Sequence, residues 1–553
     1  MIRLLTFRAA IFLAIVTAVC SCQSDEATTP SNVYDLEAGV GFKELKFTLP
    51  YLERLAEAVG YEDVVLRFMG AEDHQGYDLD ARLIYEGGEI ILEILSEEIS
   101  QMAHQIYYLN TLKYSPEVKS ARADDDESST MQSVSLGVKI SLEDANDLQI
   151  LSTIDTALNR VYCTSESGAV EYLVTDYSSL YYISDDWINA TSFKKDSIIY
   201  KQTDNIDLTD VELIASDTDG NIVFDTNIYP GNWVPIGTNN LGAKDGLAFN
   251  QIYDGGGFTI SKMQNQENNI ATAFFYKLGD GAVVRNVSFE DTFYNSTTSS
   301  ASVAVYADKG AEVTIENVFA SGVIAGGSSA VGGFIGENEG ADITFENCSS
   351  MMSLSPSEMK VASAYGGFIG LSSRGELTFN DCSFMGSITN VESNVGGYIG
   401  QAESSTITIS GCSTTAGNIN SREYVGGVVG YLSETTLTLD GLTAGSAYYP
   451  YFTSATDESG EPILGSATIS STLAIIPQID AAYSSGSLNV FMGSLVGFAL
   501  NSELNFNSAT IKEGKVILYY KVGDSNNIGD PVCLDSGTTT TGSVTGYAAM
   551  KEL

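Results

Sequence analysis

Three clusters in this 553-residue chain combine residue types that could do chemistry. The first is Tyr448-Tyr449-Pro450-Tyr451-Phe452, followed by Asp457, Glu458 and Glu461. Aromatic rings stack on the apolar faces of sugars, and carboxylates accept hydrogen bonds from their hydroxyls. On a loop projecting from a regular scaffold, this run reads as a glycan contact; the alternative is packing of the rings against the flank of the fold. The second is Asp217, Asp219 and Asn221, oxygen ligands at alternate positions, the spacing that calcium loops use. A distant bidentate Glu is missing and Asp225 is a poor substitute, while Asp219-Gly220 also forms a tight turn, so the turn is preferred. The third is Cys348, Cys382 and Cys412, which recur at one position of a repeat. The only histidines, His74 and His104, lie far away in sequence, so these cysteines read as free, buried, stacked thiols rather than metal ligands. His74 and His104 themselves read as structural.

Catalysis on a polysaccharide would need paired carboxylates, or an Arg or Lys to abstract a proton and stabilise charge. Carboxylates are everywhere in a chain with 71 acidic residues, so their presence decides nothing. The bases of the repeat region are Arg285, Lys309, Lys360, Arg374 and Arg422, and no two share a column in neighbouring repeats. The expectation is therefore a protein that is not an enzyme and carries no cofactor.

The elements that position these residues are repeats. Four lines align: VGGFIGENEGADITFENC, YGGFIGLSSRGELTFNDC, VGGYIGQAESSTITISGC and VGGVVGYLSETTLTLDGL. Their second glycines, Gly333, Gly367, Gly397 and Gly427, are 34, 30 and 30 residues apart. Four residues before the Asn/Asp/Gly turn stand Ala282, Val313, Ile343, Leu377, Ile407, Leu437 and Leu504. Two before it stand Val284, Ile315, Phe345, Phe379, Ile409, Leu439 and Phe506; one after it stand Val287, Val318, Cys348, Cys382, Cys412, Leu442 and Ala509. Alternation with Thr, Glu, Asn and Ser is the strand period with one face buried. Strands this short cannot bury a face alone, so coils must stack, rising roughly 4.8 Å each. The fold class is mainly β: a right-handed parallel β-helix with about 30 residues per coil. A leucine-rich horseshoe lacks its LxxLxL signature here. Gly493-Ser-Leu-Val-Gly497 follows its counterpart at Gly426 by slightly more than twice the repeat period, which reads as two turns with a longer loop. A solvent-facing row of aromatics would favour glycan binding, but Tyr306, Tyr365, Tyr398 and Tyr431 read as lying in different columns.

The net charge is −44, from 71 acidic and 27 basic residues, which opposes nucleic acid and anionic lipid as partners. Residues 1–22 read as a secretion signal: Arg3 and Arg8, then an apolar core from Ala9 to Val19 too short to span a bilayer. Residues 23–32 form a polar tether. Residues 33–118 predict a small helical or α+β domain. Leu52, Leu55, Ala56 and Val59 share one helical face there, and Ile91, Ile94, Leu95, Ile99, Met102 and Ile106 recur at helical spacing. An acidic linker covers 119–132. Residues 133–175 either close that domain or cap the solenoid, which then occupies 176–553 with a loop insertion at 443–490. Trp233 is expected to cap the apolar column.

Two resemblances add to this reading. Val19-Cys20-Ser21-Cys22 resembles the bacterial lipobox, which implies cleavage before Cys22 and lipidation of its thiol, lowering the formal charge from −44 to −46 through loss of Arg3 and Arg8. The following Gln-Ser-Asp-Glu26 resembles the export signal of Bacteroidota surface lipoproteins; a periplasm-facing lipoprotein is the alternative. The repeat lines resemble the GLUG motif of bacterial surface proteins. Entry strands and turns in Asn205-Ile-Asp-Leu208, Asn232-Trp-Val-Pro-Ile-Gly237 and Asp254-Gly-Gly-Gly-Phe-Thr-Ile260 support the likeness. The resemblance implies an outer-membrane, lipid-anchored solenoid that binds a glycan or a host or bacterial surface protein. A structural envelope stalk and, more remotely, a polysaccharide-active enzyme are the alternatives.

Overall fold

The computed structural model describes residues 43–46, 58, 64–86, 89–94, 102, 105–115, 132–155, 160–183, 198–209, 215–216, 222–223, 233–237, 248–265, 271–356, 363–414, 418–444, 447–456, 462–469, 478–481, 491–512, 517–520 and 527–552, apart from single or paired positions within these spans. Among the described residues, strands account for 66% and helix for 2%. It divides into two compact units: residues 1–179 with 196–204 and 454–461, and the remainder.

The first unit is built on a seven-stranded antiparallel sheet. Its spatial order is Lys43–Lys46, Glu89–Ile94, Gly76–Glu86, Val64–Gly70, Gln105–Tyr114, Gln132–Asp144 and Asp147–Ile150. This corrects the helical reading of residues 89–112. The run Ile90-Ile-Leu-Glu-Ile94 fits either period, and the structure uses the period of two: Leu92 and Ile94 are buried while their partners across the strand pair are Leu83 and Ala81. Tyr107, Leu109, Leu112 and Tyr114 join Leu66, Phe68, Leu79, Val138 and Ile140 in one core. Of the expected helix at 50–59, only Ala58 lies within the described residues. Val170–Val174 pairs in parallel with Ile198–Gln202. A bidentate approach of Arg67 to Asp204, with Nε to Oδ2 at 2.8 Å, and the Asn110–Thr203 pair tie residues far apart in sequence within this unit.

The second unit is a parallel β-solenoid of about seven turns, with coils roughly 30 residues apart. One coil illustrates them all: Glu376–Asn380, Ser383–Phe384, Ser387–Val391, Ser393–Gly396 and Ile399–Glu403. Each strand pairs in register with its equivalent on the next coil, as in Leu377 with Ile407 and Phe379 with Ile409. The three expected columns all stack inward: Ala282, Val284 and Val287 begin them, and every member through Leu504, Phe506 and Ala509 is buried. The corner residues Asn286, Asn317, Asn347, Asp381, Gly411 and Gly441 all have φ between 50° and 75°, the left-handed region that Asn, Asp and Gly tolerate.

Two aromatic ladders interlock inside. Phe345 stacks on Phe379 with centroids 4.8 Å apart and planes 2° apart. Phe334, Phe368 and Tyr398 form the second ladder, at 4.8 and 4.9 Å. The ladders meet edge to face, Phe379 against Tyr398 at 90°. The Tyr398 hydroxyl lies 2.8 Å from the Cys382 carbonyl and 2.7 Å from that of Ser413, so its dipole is satisfied inside the core. The paired glycines have a steric reason: a Cβ on Gly367 would overlap the Gly397 carbonyl, and one on Gly397 that of Gly427. Near the start of the solenoid Trp233 is buried, stacks on Phe274 at 5.5 Å and donates its indole N–H to the Ala273 carbonyl, as a cap of the apolar column should.

The segment after Gly426 corrects the expected two turns. Gly426 is in direct register with Gly493, and Leu437 with Leu504, so the whole span between them makes one coil. Thr443–Ala444 and Gln478–Ala481 keep their places in the stack, and between them Ala447–Thr456 and Pro462–Ile469 form a two-stranded sheet rather than the expected long loop.

Removing one rung of the ladder should be costly. Phe379→Ala is expected to destabilise the solenoid by about 3–5 kcal/mol, while outward-facing Thr378→Ala stays within about 0.5 kcal/mol. Urea unfolding of the two variants checks this, and equal midpoints would contradict an interior position for Phe379.

Candidate functional site

The structure sorts the candidate residues of the sequence. Cys22 lies outside the described residues, as does His104. Asp217, Asp219 and Asn221 do too; on either side of them Ala215 pairs antiparallel with Val223 and Ser216 with Ile222. Tyr448, Tyr449, Tyr451 and Phe452 fall on the strand Ala447–Thr456; their side chains are outside the described residues. His74 sits at φ 53° in a turn of the first unit, and burial holds its imidazole below the ordinary value. Arg285 is engaged with buried Asp254 at 2.9 Å. Asp254 also accepts from the Gly256 N–H and the Asn286 amide, so this pair is part of the corner architecture. Among the described residues no three His, Cys, Asp or Glu side chains are grouped to hold a metal.

Cys348, Cys382 and Cys412 are free and buried in consecutive rungs. The Cys382 N–H donates to the Cys412 sulfur at 3.2 Å, and the thiols point at carbonyls such as those of Ile315, Asn380 and Ser410. Burial pushes the Cys382 thiol well above its usual range, and the sulfurs on either side push further. Burial, followed by the adjacent Glu171 carboxylate, raises Cys163 from 9.0 to about 12.

A site that sequence reading missed lies on the outer surface of the solenoid. Two sheets run along it: an eight-stranded one containing Ile399–Glu403, Val429–Ser433 and Val496–Leu500, and a six-stranded one containing Ser393–Gly396, Tyr424–Gly426 and Phe491–Gly493. Because the span from Gly426 to Gly493 is a single coil, Tyr424 stands beside Phe491 and Tyr431 beside Phe498. Each of these four rings is half-buried. Tyr424 and Phe491 are 5.3 Å apart and 18° from parallel; Tyr431 and Phe498 are 6.1 Å apart at 26°. The two columns touch, Tyr424 against Tyr431 at 5.1 Å and Phe491 against Phe498 at 4.7 Å. One coil earlier the same two columns hold carboxamides. Gln401 is the register partner of Tyr431, and Asn394 lies beside Gln401, donating its amide N–H to the Gln401 oxygen. The Gln401 amide in turn donates to Glu403 at 2.6 Å.

The expectation that the tyrosines occupy separate columns needs correction. Tyr306 and Tyr431 share one, running Tyr306, Glu337, Leu371, Gln401, Tyr431, Phe498. Tyr365 and Tyr398 are wholly interior. The signal is present in the sequence: Tyr424 and Phe491 each stand two residues before the glycine that opens the line, and Tyr431 and Phe498 five after it. Counting Gly426 to Gly493 as two coils separates them.

No protein-family profile matches the chain, and no curated protein is significantly similar to it.

The buried thiols give a direct chemical check. Since thiolates, not thiols, are alkylated, iodoacetamide at pH 8 should leave Cys163 and Cys382 unmodified in the native protein and label both in denaturant without added reductant. Native-state labelling of Cys382, read by mass spectrometry, would contradict its burial. For Cys163 the folded chain keeps a proton that the unfolded chain releases. Its contribution to stability is thus full below pH 9.0 and is lost as pH rises towards about 12.

Proposed function

We propose that this chain is a lipid-anchored surface protein whose solenoid displays a binding face for a glycan or a protein on another surface, without catalysing a reaction. The observation that carries the reading is the half-buried aromatic quartet of Tyr424, Tyr431, Phe491 and Phe498 on a rigid stack of strands. Half-exposed aromatics clustered at one spot are costly to leave in water and are the side chains that dominate recognition surfaces. The likeness of the repeat lines to the GLUG motif of bacterial surface proteins, and of Val19–Cys22 to a lipobox, supports display at the outer membrane. Several acyl chains on Cys22 would hold the protein there stably, where a single chain would not. The net charge of −44 disfavours nucleic acid and anionic lipid headgroups as ligands. Arg285 is paired with the buried carboxylate of Asp254, and a guanidinium held protonated in this way does not serve as a general base.

A purely structural stalk is the second reading, favoured by the unbroken interior ladder from Ala282 to Leu504. The two readings share the anchor and differ in the quartet.

The anchored-display reading predicts that cells producing the full chain incorporate labelled palmitate into it, and that the Cys22→Ala variant takes up none. Protease added to intact cells should release the solenoid. Absence of label, or a chain resistant to external protease but cleaved after lysis, would contradict surface anchoring.

A further inference from the structure

We infer that the aromatic quartet is a subsite for a neutral, pyranose-based glycan, with Tyr424, Tyr431, Phe491 and Phe498 contacting the apolar C–H faces of the sugars and the carboxamide of Gln401 reading their hydroxyls. The inference rests on the proposed binding role and names its ligand. Three observations select this class.

The first is size. A stable protein partner needs about 800 Å² on each side. Four half-buried rings, each holding about 150–250 Å² when fully exposed, offer well under that, but match two or three sugar residues. The second is the mixture of surfaces. A pyranose presents apolar C–H faces and a rim of hydroxyls, so it needs rings and hydrogen-bonding groups side by side. Here the rings of two coils continue, in the same two columns, into Asn394 and Gln401 of the coil before. A carboxamide donates and accepts at once, which suits a hydroxyl better than a charged group does. The Gln401 amide is oriented by Glu403 at 2.6 Å, and its oxygen accepts from Asn394; the side-chain oxygen of Asn394 is itself buried, so this residue positions Gln401 rather than meeting the ligand. The third is charge. Glu403 is exposed and Glu423 half-buried at the edge of the rings, within a chain of net charge −44, and no Lys or Arg of the described residues pairs with either. Uronic acids, sulfated sugars and sialic acids would meet like charge. The stacked coils also fix the rings on strands rather than on a loop, so little side-chain freedom remains to be lost on binding.

The test uses the full chain in detergent on an array of immobilised glycans. Neutral oligosaccharides built on glucose, galactose, mannose and N-acetylglucosamine are set against polygalacturonate and heparin. Binding to at least one neutral series and to neither polyanion is expected. The Tyr424→Ala/Tyr431→Ala double variant should weaken it by about tenfold or more. Tyr449→Ala/Tyr451→Ala, which alters the aromatic run of the inserted strand, should leave it unchanged. If removal of two rings lowers the melting temperature, Gln401→Ala, outside the ring packing, carries the test and should weaken binding several-fold. Neutral-glycan binding that survives both the double variant and Gln401→Ala would overturn the subsite while leaving the display reading intact. Preference for the polyanions, or binding of none of the glycans, would overturn the ligand class.

Discussion

Parallel, in-register hydrogen bonding between successive coils is the constraint on which the rest of the structure depends. Once Leu377 pairs with Ile407 and Ile407 with Leu437, each inward side chain has its own kind above and below it. Phe345 on Phe379 and Phe368 on Tyr398 are consequences of that register, and so is the herringbone contact between the two ladders. The same rule forbids side chains where the chain turns most tightly. Gly333, Gly367 and Gly397 sit where a Cβ would strike the next coil's carbonyl, so the GG pair is a steric requirement of stacking. The stacking also explains why a coil made of such short strands is stable at all: no coil buries its face alone, and each is completed by its neighbours.

Register also decides where outward residues meet. The quartet is assembled from Tyr424 and Tyr431 on one coil and Phe491 and Phe498 on the next, although a long insertion separates the members of each pair in sequence. The inserted sheet of Ala447–Thr456 and Pro462–Ile469 leaves the stack undisturbed, because Thr443–Ala444 and Gln478–Ala481 still pair with their equivalents. A solenoid tolerates such insertions since the entropic cost of a longer loop grows only with the logarithm of its length. Elsewhere on the outside, stacking brings like charges together, as in Glu312 beside Asp342, a cost that the exposed positions leave to water to screen.

The interior was legible in the sequence because repetition multiplied a weak signal. One VxIxN line is ambiguous; seven in register fix strand, turn and inward face together, and at those turn positions the structure places Asn317, Asn347 and Asp381 at positive φ. The first unit had no such multiplication. Ile90 to Leu95 satisfies both a helical and a strand period, and only pairing with Ile84 and Leu83 on one side decides it. The quartet was hidden for a third reason. Contact across a long insertion depends on how many coils the insertion contains, and residues 427–492 alone do not state that number.

The most direct measurement of this account is the distance between Thr438 and Asn505, outward residues on either side of the insertion that the register places side by side. Nitroxide labels on Thr438→Cys and Asn505→Cys would sit on adjacent strands about 4.8 Å apart. In-register stacking predicts that the doubly labelled protein gives a strongly broadened continuous-wave EPR spectrum. A spectrum equal to the sum of the two single-label spectra would show that these strands are not neighbours, and would contradict the single-coil register.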